Sequence, residues 1–238
     1  MSFVGRPSHG RTFGVQRTVR LADIDERGRL RLDAIARYLQ DAAIEDVSET
    51  GWGMPEHLWF IRRIELEVDS PFLEDRSVEV VTWCSGLAAI AAGRRWSLRG
   101  DVGGRIEVES VWIHLDADAR PVRIENFDLY AEAAESRHVS TKIDLPAPPD
   151  SAARFSWPLR STDLDVHGHV NNSVHWQAVE HRLASLEVDL QRPLSARLDY
   201  GDPLSLDETV ELAEWIDGSV YSLAFVVDGR TKAFARVE

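Results

Sequence analysis

Positions 160 to 170 of the chain read RSTDLDVHGHV, and positions 20 to 30, 140 residues earlier, read RLADIDERGRL. The two stretches share an arginine, two aspartates and a glycine at identical spacing. A second pair follows in the same order, because positions 71 to 83 read PFLEDRSVEVVTW and positions 203 to 215 read PLSLDETVELAEW. Two copies are too few for a solenoid, which needs at least about three stacked units. The repeat therefore predicts a tandem duplication of one compact domain.

Hydrophobic spacing predicts the same elements in both copies. After the first repeated stretch, apolar side chains recur three and four positions apart, as on one face of a helix, at Leu32, Ile35, Leu39, Ala43 and Val47. The corresponding face of the second copy carries Asn172, His175, Val179 and Leu183. Alternation then predicts half-buried strands at 64–68 and 196–200, with further strands at 77–84, 92–100, 105–116, 208–216, 219–228 and 231–237. Each copy is thus predicted to be an α+β unit of one long helix and an antiparallel sheet.

A proline-rich connector divides the two copies. Positions 144–151 hold three prolines in eight residues, which favours an extended segment. We therefore expect an N-terminal domain at 1–143, a linker at 144–151 and a C-terminal domain at 152–238. One helix against one sheet stays under-covered, so each copy needs the other. We expect the two sheets to join edge to edge and to leave a groove at the junction, the usual place for a ligand.

Composition excludes several classes of protein. The formal net charge of -13 disfavours nucleic acid, because a phosphate backbone attracts clustered cations. The one cysteine, Cys84, excludes an internal disulfide framework and a cysteine-based zinc site, and we expect it to be a small core or surface residue. No run approaches the ~18 to 20 apolar residues that a bilayer requires, and the N-terminus lacks a secretory signal, so we expect no membrane segment and a cytoplasmic location. No serine-hydrolase elbow, P-loop or dinucleotide fingerprint is present, and no cofactor is expected.

Polar chemistry concentrates in the second copy. Four of the eight histidines, together with two aspartates and two asparagines, fall between positions 163 and 181; they are Asp163, Asp165, His167, His169, Asn171, Asn172, His175 and His181. The first copy keeps the aspartates and the glycine, but it has Arg27, Arg29 and Leu32 where the second has two histidines and an asparagine. The second copy alone is therefore predicted to be reactive.

The pattern suits hydrolysis at a carbonyl. Gly168 stands just before a predicted helix, whose unpaired first amides and dipole can hold a developing oxyanion. Asp165 can add to the carbonyl or draw a proton from water, and His167 or His169 can orient the water or the carbonyl. Two alternatives stay open. Asp165 could be an ordinary capping turn, or Asp165, His167, His169 and His175 could bind zinc. Asp163 is expected to be structural, because Asp23 repeats it in the other copy.

These residues carry a resemblance to a known family. Positions 163 to 172 read DLDVHGHVNN and resemble the Asp-Leu-Asp-x-Asn-x-His-Val-Asn-Asn motif of acyl-ACP thioesterases, which are double hot-dog enzymes. WFIRR at 59–63, RRW at 94–96 and SVW at 110–112 resemble landmarks of the family's first half. The resemblance implies hydrolysis of a fatty acyl thioester, with Asp165 and His169 as the catalytic aspartate and histidine and with acyl carrier protein as partner. It also implies that the first half shapes the acyl pocket, which Trp52, Trp59 and Trp83 could line.

The sequence also departs from the family pattern. The family's catalytic asparagine falls on His167, its tyrosine on His175, and its Glu-Cys pair on Pro203 and Leu204. Asp202 could replace the missing acid, although Pro203 also matches Pro71 and is then an ordinary strand end. A centre built on Asp165 with His167, Gly168 and His169 is the prediction that these departures leave. We expect Asn171, Asn172, His175 and Trp59 to contact the substrate.

The partner and the exact reaction retain alternatives. Residues 1 to 38 hold eight arginines against four acids, so an acidic carrier protein could dock there, or the arginines could form internal ion pairs. The rival functions are an acyl-CoA thioesterase or a hydratase on the same fold, and a non-catalytic acyl-binding or carrier-binding protein. We expect a monomer with an internal pseudo-dimer, or a homodimer.

Overall fold

The computed structural model describes residues 3–51 and 58–238 of the chain. Three α-helices occur in this part of the chain: α1 (Leu32–Thr50), α2 (Asp128–Ala134) and α3 (Asn172–Ser185). The strands are β1 (Thr12–Thr18), β2 (Leu58–Ser70), β3 (Ser77–Leu87), β4 (Ala91–Gly100), β5 (Arg105–Leu115), β6 (Ala153–Trp157), β7 (Leu194–Tyr200), β8 (Val210–Asp217), β9 (Val220–Val227) and β10 (Arg230–Val237). The long helices and the strands predicted from hydrophobic spacing are all present.

The strands form a single antiparallel sheet that runs through both halves. Its order is β1-β3-β4-β5-β2-β7-β10-β9-β8-β6, so the first five strands belong to the first half and the last five to the second. The halves meet where β2 pairs with β7. The predicted edge-to-edge join is therefore confirmed, and the architecture is the α+β double hot-dog, in which a long helix of each half lies against the antiparallel sheet.

Ion pairs cross the seam between β2 and β7. Arg63 stands opposite Asp199, and Glu65 stands opposite Arg197. Arg63 Nε donates to Asp199 Oδ1 at 2.9 Å, and Arg197 Nη1 lies 3.1 Å from Glu65 Oε1. Opposite charges on directly paired strand residues stabilise the pairing, so the register of the two halves is specified by charge as well as by burial.

The core lies between the sheet and the two long helices. On β2, Ile64, Leu66 and Val68 point into it, as their alternation predicted. Trp96 of β4 and Trp176 of α3 are completely buried within it. One apolar cluster includes residues of both halves, and the helices therefore share a core instead of each having its own.

The helices α1 and α3 pack so that the N-terminus of each meets the middle of the other. The backbone N–H of Leu32, the first residue of α1, donates to Glu180 Oε2 of α3 at 2.7 Å. At the other end, Asn171 Nδ2 donates to Gln40 Oε1 of α1 at 3.3 Å. Gly51 ends α1 in a left-handed conformation with φ of 66°, which glycine adopts without strain. The arrangement is a pseudo-twofold that brings each half's helix to the other half's loop.

The short helix α2 lies beside the C-terminal end of α1, where the Tyr130 hydroxyl is 3.3 Å from Thr50 Oγ1. Trp83 and the buried Cys84 pack against Tyr130 and Ala133 of α2. The connector crosses near the seam, where the Asp144 N–H donates to Asp199 Oδ2 at 3.3 Å and Thr231 Oγ1 donates to the Pro146 carbonyl at 2.7 Å. None of the helices in the described ranges combines the length and the apolar character needed to cross a bilayer.

Candidate active site

The turn from Asp165 to His169 joins a short 3-10 turn to α3. Its backbone closes on itself, because Asp165 N donates to the His169 carbonyl at 2.8 Å and Gly168 N donates to the Asp165 carbonyl at 3.1 Å. Gly168 has a φ of 77°, a value that side chains with a Cβ adopt only with strain. A glycine at this position therefore lets the chain reverse within four residues and enter the helix.

The two oxygens of the Asp165 carboxylate have different surroundings. Oδ1 accepts from the backbone N–H of His167 at 2.8 Å and from that of His169 at 3.2 Å. Oδ2 receives no hydrogen bond from any residue in the described part of the chain. The side chain is partly exposed and does not enter the core. One oxygen thus holds the turn together, and the other is free to act on a substrate.

The first half has an equivalent turn, in which an arginine pairs with the equivalent carboxylate, that of Asp25. Asp25 Oδ1 accepts from the backbone N–H of Arg27 at 2.9 Å and from that of Arg29 at 2.8 Å. Asp25 Oδ2 is bound by Arg29 Nε at 3.0 Å. The capping role is therefore common to both aspartates, whereas the free oxygen is a property of Asp165. Arg29, which stands where the second half has His169, accounts for the difference.

Asn171 caps the N-terminus of α3. Its Oδ1 accepts from the Ser173 N–H at 2.9 Å and from Ser173 Oγ at 2.8 Å, so Asn171 is the N-cap. The neighbouring backbone amides are also engaged, since Val170 N donates to the Leu204 carbonyl and Asn171 N to the Asp163 carbonyl. Within the described ranges, the backbone N–H of Asn172 has no acceptor. A polarised amide at a helix N-terminus is the donor that an oxyanion requires.

The corresponding amide in the first half is occupied. Leu32 N donates to the Glu180 carboxylate, which also accepts from Arg29 Nη2 at 2.6 Å. The side chains of Arg29 and Glu180 are only 4% and 11% exposed. Burial outweighs the nearby arginine and raises the pKa of Glu180. In the first-half turn, Arg29 and Glu180 therefore occupy the space in which a substrate would bind.

The predicted site residues do not all lie together: four lie in the turn, His175 lies in the core and Trp59 lies on β2. Asp165, His167, Gly168 and His169 come together in the turn, and both histidine side chains are exposed there. His175 lies in the core, with its ring 5.2 Å from that of Tyr200 and 5.0 Å from that of Phe225, and burial lowers its pKa to about 4. These roles stay predictions.

Trp59 stands on β2, beyond the seam. It is opposite His114, and its ring is 5.9 Å from that of Phe127. Trp83 packs with α2, and Trp52 lies outside the described residues. Phe127 also packs against the cluster that holds Trp83, so both described tryptophans lie near α2. The role of Trp59 also stays a prediction.

Pro203 and Leu204, on which the resemblance places the family's Glu-Cys pair, lie between β7 and β8. The Leu204 carbonyl accepts from Val170 N just as the Phe72 carbonyl accepts from Leu30 N, so Pro203 and Leu204 occupy an ordinary repeated strand end. Asp202 is exposed, and its charge faces Arg62.

Arg62, whose contacts the sequence did not predict, lies beside the end of β7. It lies at a β-bulge in β2, and its Nη1 donates to the Gly201 carbonyl at 3.2 Å. Burial lowers its pKa, although the charges of Asp202 and Asp199 oppose the shift. A bulge adds a residue to one strand and re-aims its side chain, so strict alternation could not have located this contact.

No metal set converges among the residues that the structure describes. No three histidine, cysteine or carboxylate side chains there are close enough to hold an ion. His175, a member of the zinc set considered from the sequence, packs in the core and not beside the turn.

Known proteins match the chain along most of its length. The acyl-ACP thioesterase N-terminal domain matches residues 10–132, and the acyl-ACP thioesterase C-terminal domain matches residues 147–232. The chain belongs to the acyl-ACP thioesterase family. It is accordingly a thioester hydrolase that acts on fatty acyl thioesters, as the motif at 163–172 implied.

Relatives and solved structures agree with this membership. An uncharacterized protein of Mycobacterium tuberculosis is 29% identical over 99% of this chain and 95% of its own length. The 12:0-ACP thioesterase from Umbellularia californica superposes with a TM-score of 0.76 at 18% identity, covering 97% of each chain. An acyl-ACP thioesterase from Bacteroides thetaiotaomicron superposes with a TM-score of 0.75 at 16% identity, covering 95% of this chain and 96% of its own. At such identities the two structures show the fold.

Proposed function

We propose that this thioesterase hydrolyses fatty acyl-ACP at the turn of the second half, with Asp165 as the base or nucleophile. One observation carries the proposal. The free Asp165 Oδ2 lies in the same turn-and-helix unit as the unbonded Asn172 amide, whereas Arg29 and Glu180 occupy the equivalent groups of the first half. A carboxylate and an oxyanion donor at one helix entrance are the two groups that acyl transfer to water requires.

The chemistry follows from these two groups. The thioester carbonyl oxygen rests on the Asn172 N–H, and Gly168 allows the backbone to approach it closely. Asp165 Oδ2 takes a proton from a water whose oxygen attacks the carbonyl carbon, or it adds to that carbon and water then releases the acid. The C–O bond forms first and leaves the negative charge on the carbonyl oxygen, and the return of that charge to the carbon then breaks the C–S bond. Asp165 passes the proton that it took from water to the departing thiolate. His169 and His167, on either side of Gly168, orient the water.

Substrate contacts are proposed on both sides of the turn. Asn171 and Asn172 would contact the thioester end, and His175 would bound the pocket from the core. The acyl chain would extend along β2 towards Trp59.

The proposed substrate carries its acyl chain on acyl carrier protein and not on coenzyme A. The family is named for acyl-ACP, and the Umbellularia enzyme is named for a 12:0-ACP substrate, which supports carrier protein over coenzyme A. Much of the N-terminal positive charge is committed to internal pairs, as in Arg11 with Asp46 and Arg17 with Glu45. Docking of an acidic carrier would therefore depend on the arginines that remain exposed, namely Arg6, Arg20 and Arg27. A cytoplasmic location, a place in fatty acid synthesis, a monomer or homodimer, and division at residues 144–151 belong to the same proposal.

A direct assay tests the carrier. Acyl-ACP and acyl-CoA of matched chain length would be hydrolysed side by side over a panel of chain lengths, with the released thiol measured. We expect a higher kcat/KM for acyl-ACP. An equal or higher value for acyl-CoA would assign the enzyme to coenzyme A substrates. Binding of both carriers without release of thiol would contradict hydrolysis.

A further inference from the structure

Gln40 of α1 reaches the reactive turn from the other half of the chain. Its Oε1 accepts from Asn171 Nδ2 at 3.3 Å, at the N-terminus of α3. With that oxygen engaged, Gln40 Nε2 is left as a donor, and no acceptor meets it within the described ranges. The side chain is only partly buried, so a ligand can reach it. The reactive turn therefore has a polar neighbour that its own half does not provide.

The duplicate half shows what this position contacts. Gln40 and Glu180 are 140 residues apart, which is the spacing of the repeat, and each sits on the long helix that crosses the opposite turn. Glu180 binds the first free amide of α1, at Leu32, and thus places a carboxylate where an oxyanion would rest. Gln40 is the residue that the repeat pairs with Glu180, and its hydrogen bond with Asn171 places it at the N-terminus of α3, where Asn172 has the first free amide. In the first half, the Glu180 carboxylate thus occupies the position that an oxyanion would take in the second half.

We propose that Gln40 is a catalytic residue of the second-half site, resting on the hydrolysis proposed above. Its Nε2 donates to the thioester carbonyl oxygen that the Asn172 N–H also binds, so the oxyanion receives one donor from each half. The Asn171–Gln40 hydrogen bond fixes the orientation of the amide, since Oε1 is held and Nε2 then points to the substrate. An amide is the group this role needs, because a carboxylate would repel the oxyanion and take the Asn172 N–H for itself, as Glu180 does at Leu32.

Two nearly isosteric variants separate this role from packing. Gln40→Met keeps the length and apolar stem but has no donor, and Gln40→Glu keeps the shape but replaces the donor by an acceptor. Loss of one oxyanion donor typically lowers kcat about 100- to 1,000-fold, and we expect a fall of this size for Gln40→Met with KM changed less than about threefold. Gln40→Glu should fall at least as far. The matched control is Asp41→Ala, an exposed position next along the same helix, which should retain wild-type kcat.

Steady-state kinetics on an acyl-ACP substrate and thermal unfolding of each full-length variant supply the readouts. A loss of kcat in both Gln40 variants, at unchanged melting temperature, supports the assignment. If Gln40→Met keeps a kcat within threefold of the wild-type value, the assignment of Gln40 is contradicted. The proposed hydrolysis is not affected by that result, because the wild-type enzyme still turns over. If Gln40→Met does not fold, Gln40→Glu decides alone by the same criterion. Absence of turnover in the wild type itself would instead overturn the proposed function.

Discussion

At the residue scale, the two halves differ in the surroundings of one carboxylate oxygen. Asp25 and Asp165 cap their turns with the same pair of backbone amides, but Arg29 binds the second oxygen of Asp25 alone. From the replacement of arginines by histidines at fixed spacing, the sequence predicted only that the second half alone is reactive, and not the ion pair between Arg29 and Asp25. It could not predict that Glu180 and Gln40 cross to the opposite turns, since each contact joins residues about 130 to 150 positions apart and depends on how the helices pack.

His175 should make the protein sensitive to acid. Its folded pKa of about 4, set by burial, lies below the ordinary value of 6.5, so the unfolded chain binds the extra proton between these values. The stability it contributes is therefore present above pH 6.5 and lost as the pH falls towards 4, by up to about 3 kcal/mol. His175→Asn keeps a polar group near the Asn171 carbonyl and does not titrate.

Urea unfolding at pH 7, 6, 5 and 4 measures this effect. We expect the unfolding free energy of His175→Asn to fall less steeply with acid than that of the wild type. Between pH 6.5 and 4, the difference in slope corresponds to about one proton taken up on unfolding. Parallel pH profiles for the two proteins would contradict a neutral buried histidine.

The long helices and most strands could be predicted at the element scale because their apolar faces have clear periods. The short helix α2 was not predicted, since seven residues give too few turns for a helical period to show. Two neighbouring asparagines, Asn171 and Asn172, stand at the start of α3, and the structure shows that Asn171 is the N-cap. Capping depends on one side-chain contact, which spacing alone does not resolve.

Removing the cap should weaken α3. Asn171→Ala deletes the acceptor for the Ser173 amide and should lower the free energy of unfolding by about 1 kcal/mol. Asn172→Ala is the matched control, because this side chain makes no hydrogen bond within the described residues, and it should change stability by less than about 0.5 kcal/mol. Chemical denaturation of both variants checks the difference. Equal losses would show that the side chain of Asn171 does not stabilise the helix through its cap.

At the scale of the whole molecule, the halves behave as one body because they share a sheet and a core. The repeat predicted that each half needs the other, and the pairing of β2 with β7 shows how. The charge alternation along that seam was not anticipated, because Arg63 and Asp199 belong to different copies and their register is a product of the fold. The short helix α2 and the connector likewise have no counterpart in the repeat.

The seam should be sensitive to the loss of Asp199. This side chain is almost fully buried and accepts from Arg63 Nε at 2.9 Å and from Arg197 Nε at 2.8 Å. Asp199→Ala leaves both guanidinium groups without this partner and should cost about 3 kcal/mol, whereas Asp189→Ala, which breaks an exposed pair with Arg192, should cost less than about 1 kcal/mol.

Calorimetry follows both variants and the wild type. We expect one unfolding transition in each protein, with a lower midpoint for Asp199→Ala. Two separate transitions in the wild type would contradict a shared core, and equal midpoints for the two variants would contradict a stabilising seam.

The central claim is that the free carboxylate oxygen of Asp165 performs the hydrolysis. Asp165→Asn and Asp25→Asn make the same change in matched turns, and asparagine keeps the acceptor that each turn requires. Initial rates of thiol release from acyl-ACP are the measurement. We predict that kcat falls about 100- to 10,000-fold in Asp165→Asn and stays within about threefold of wild type in Asp25→Asn. Similar rates for the two variants would contradict the account.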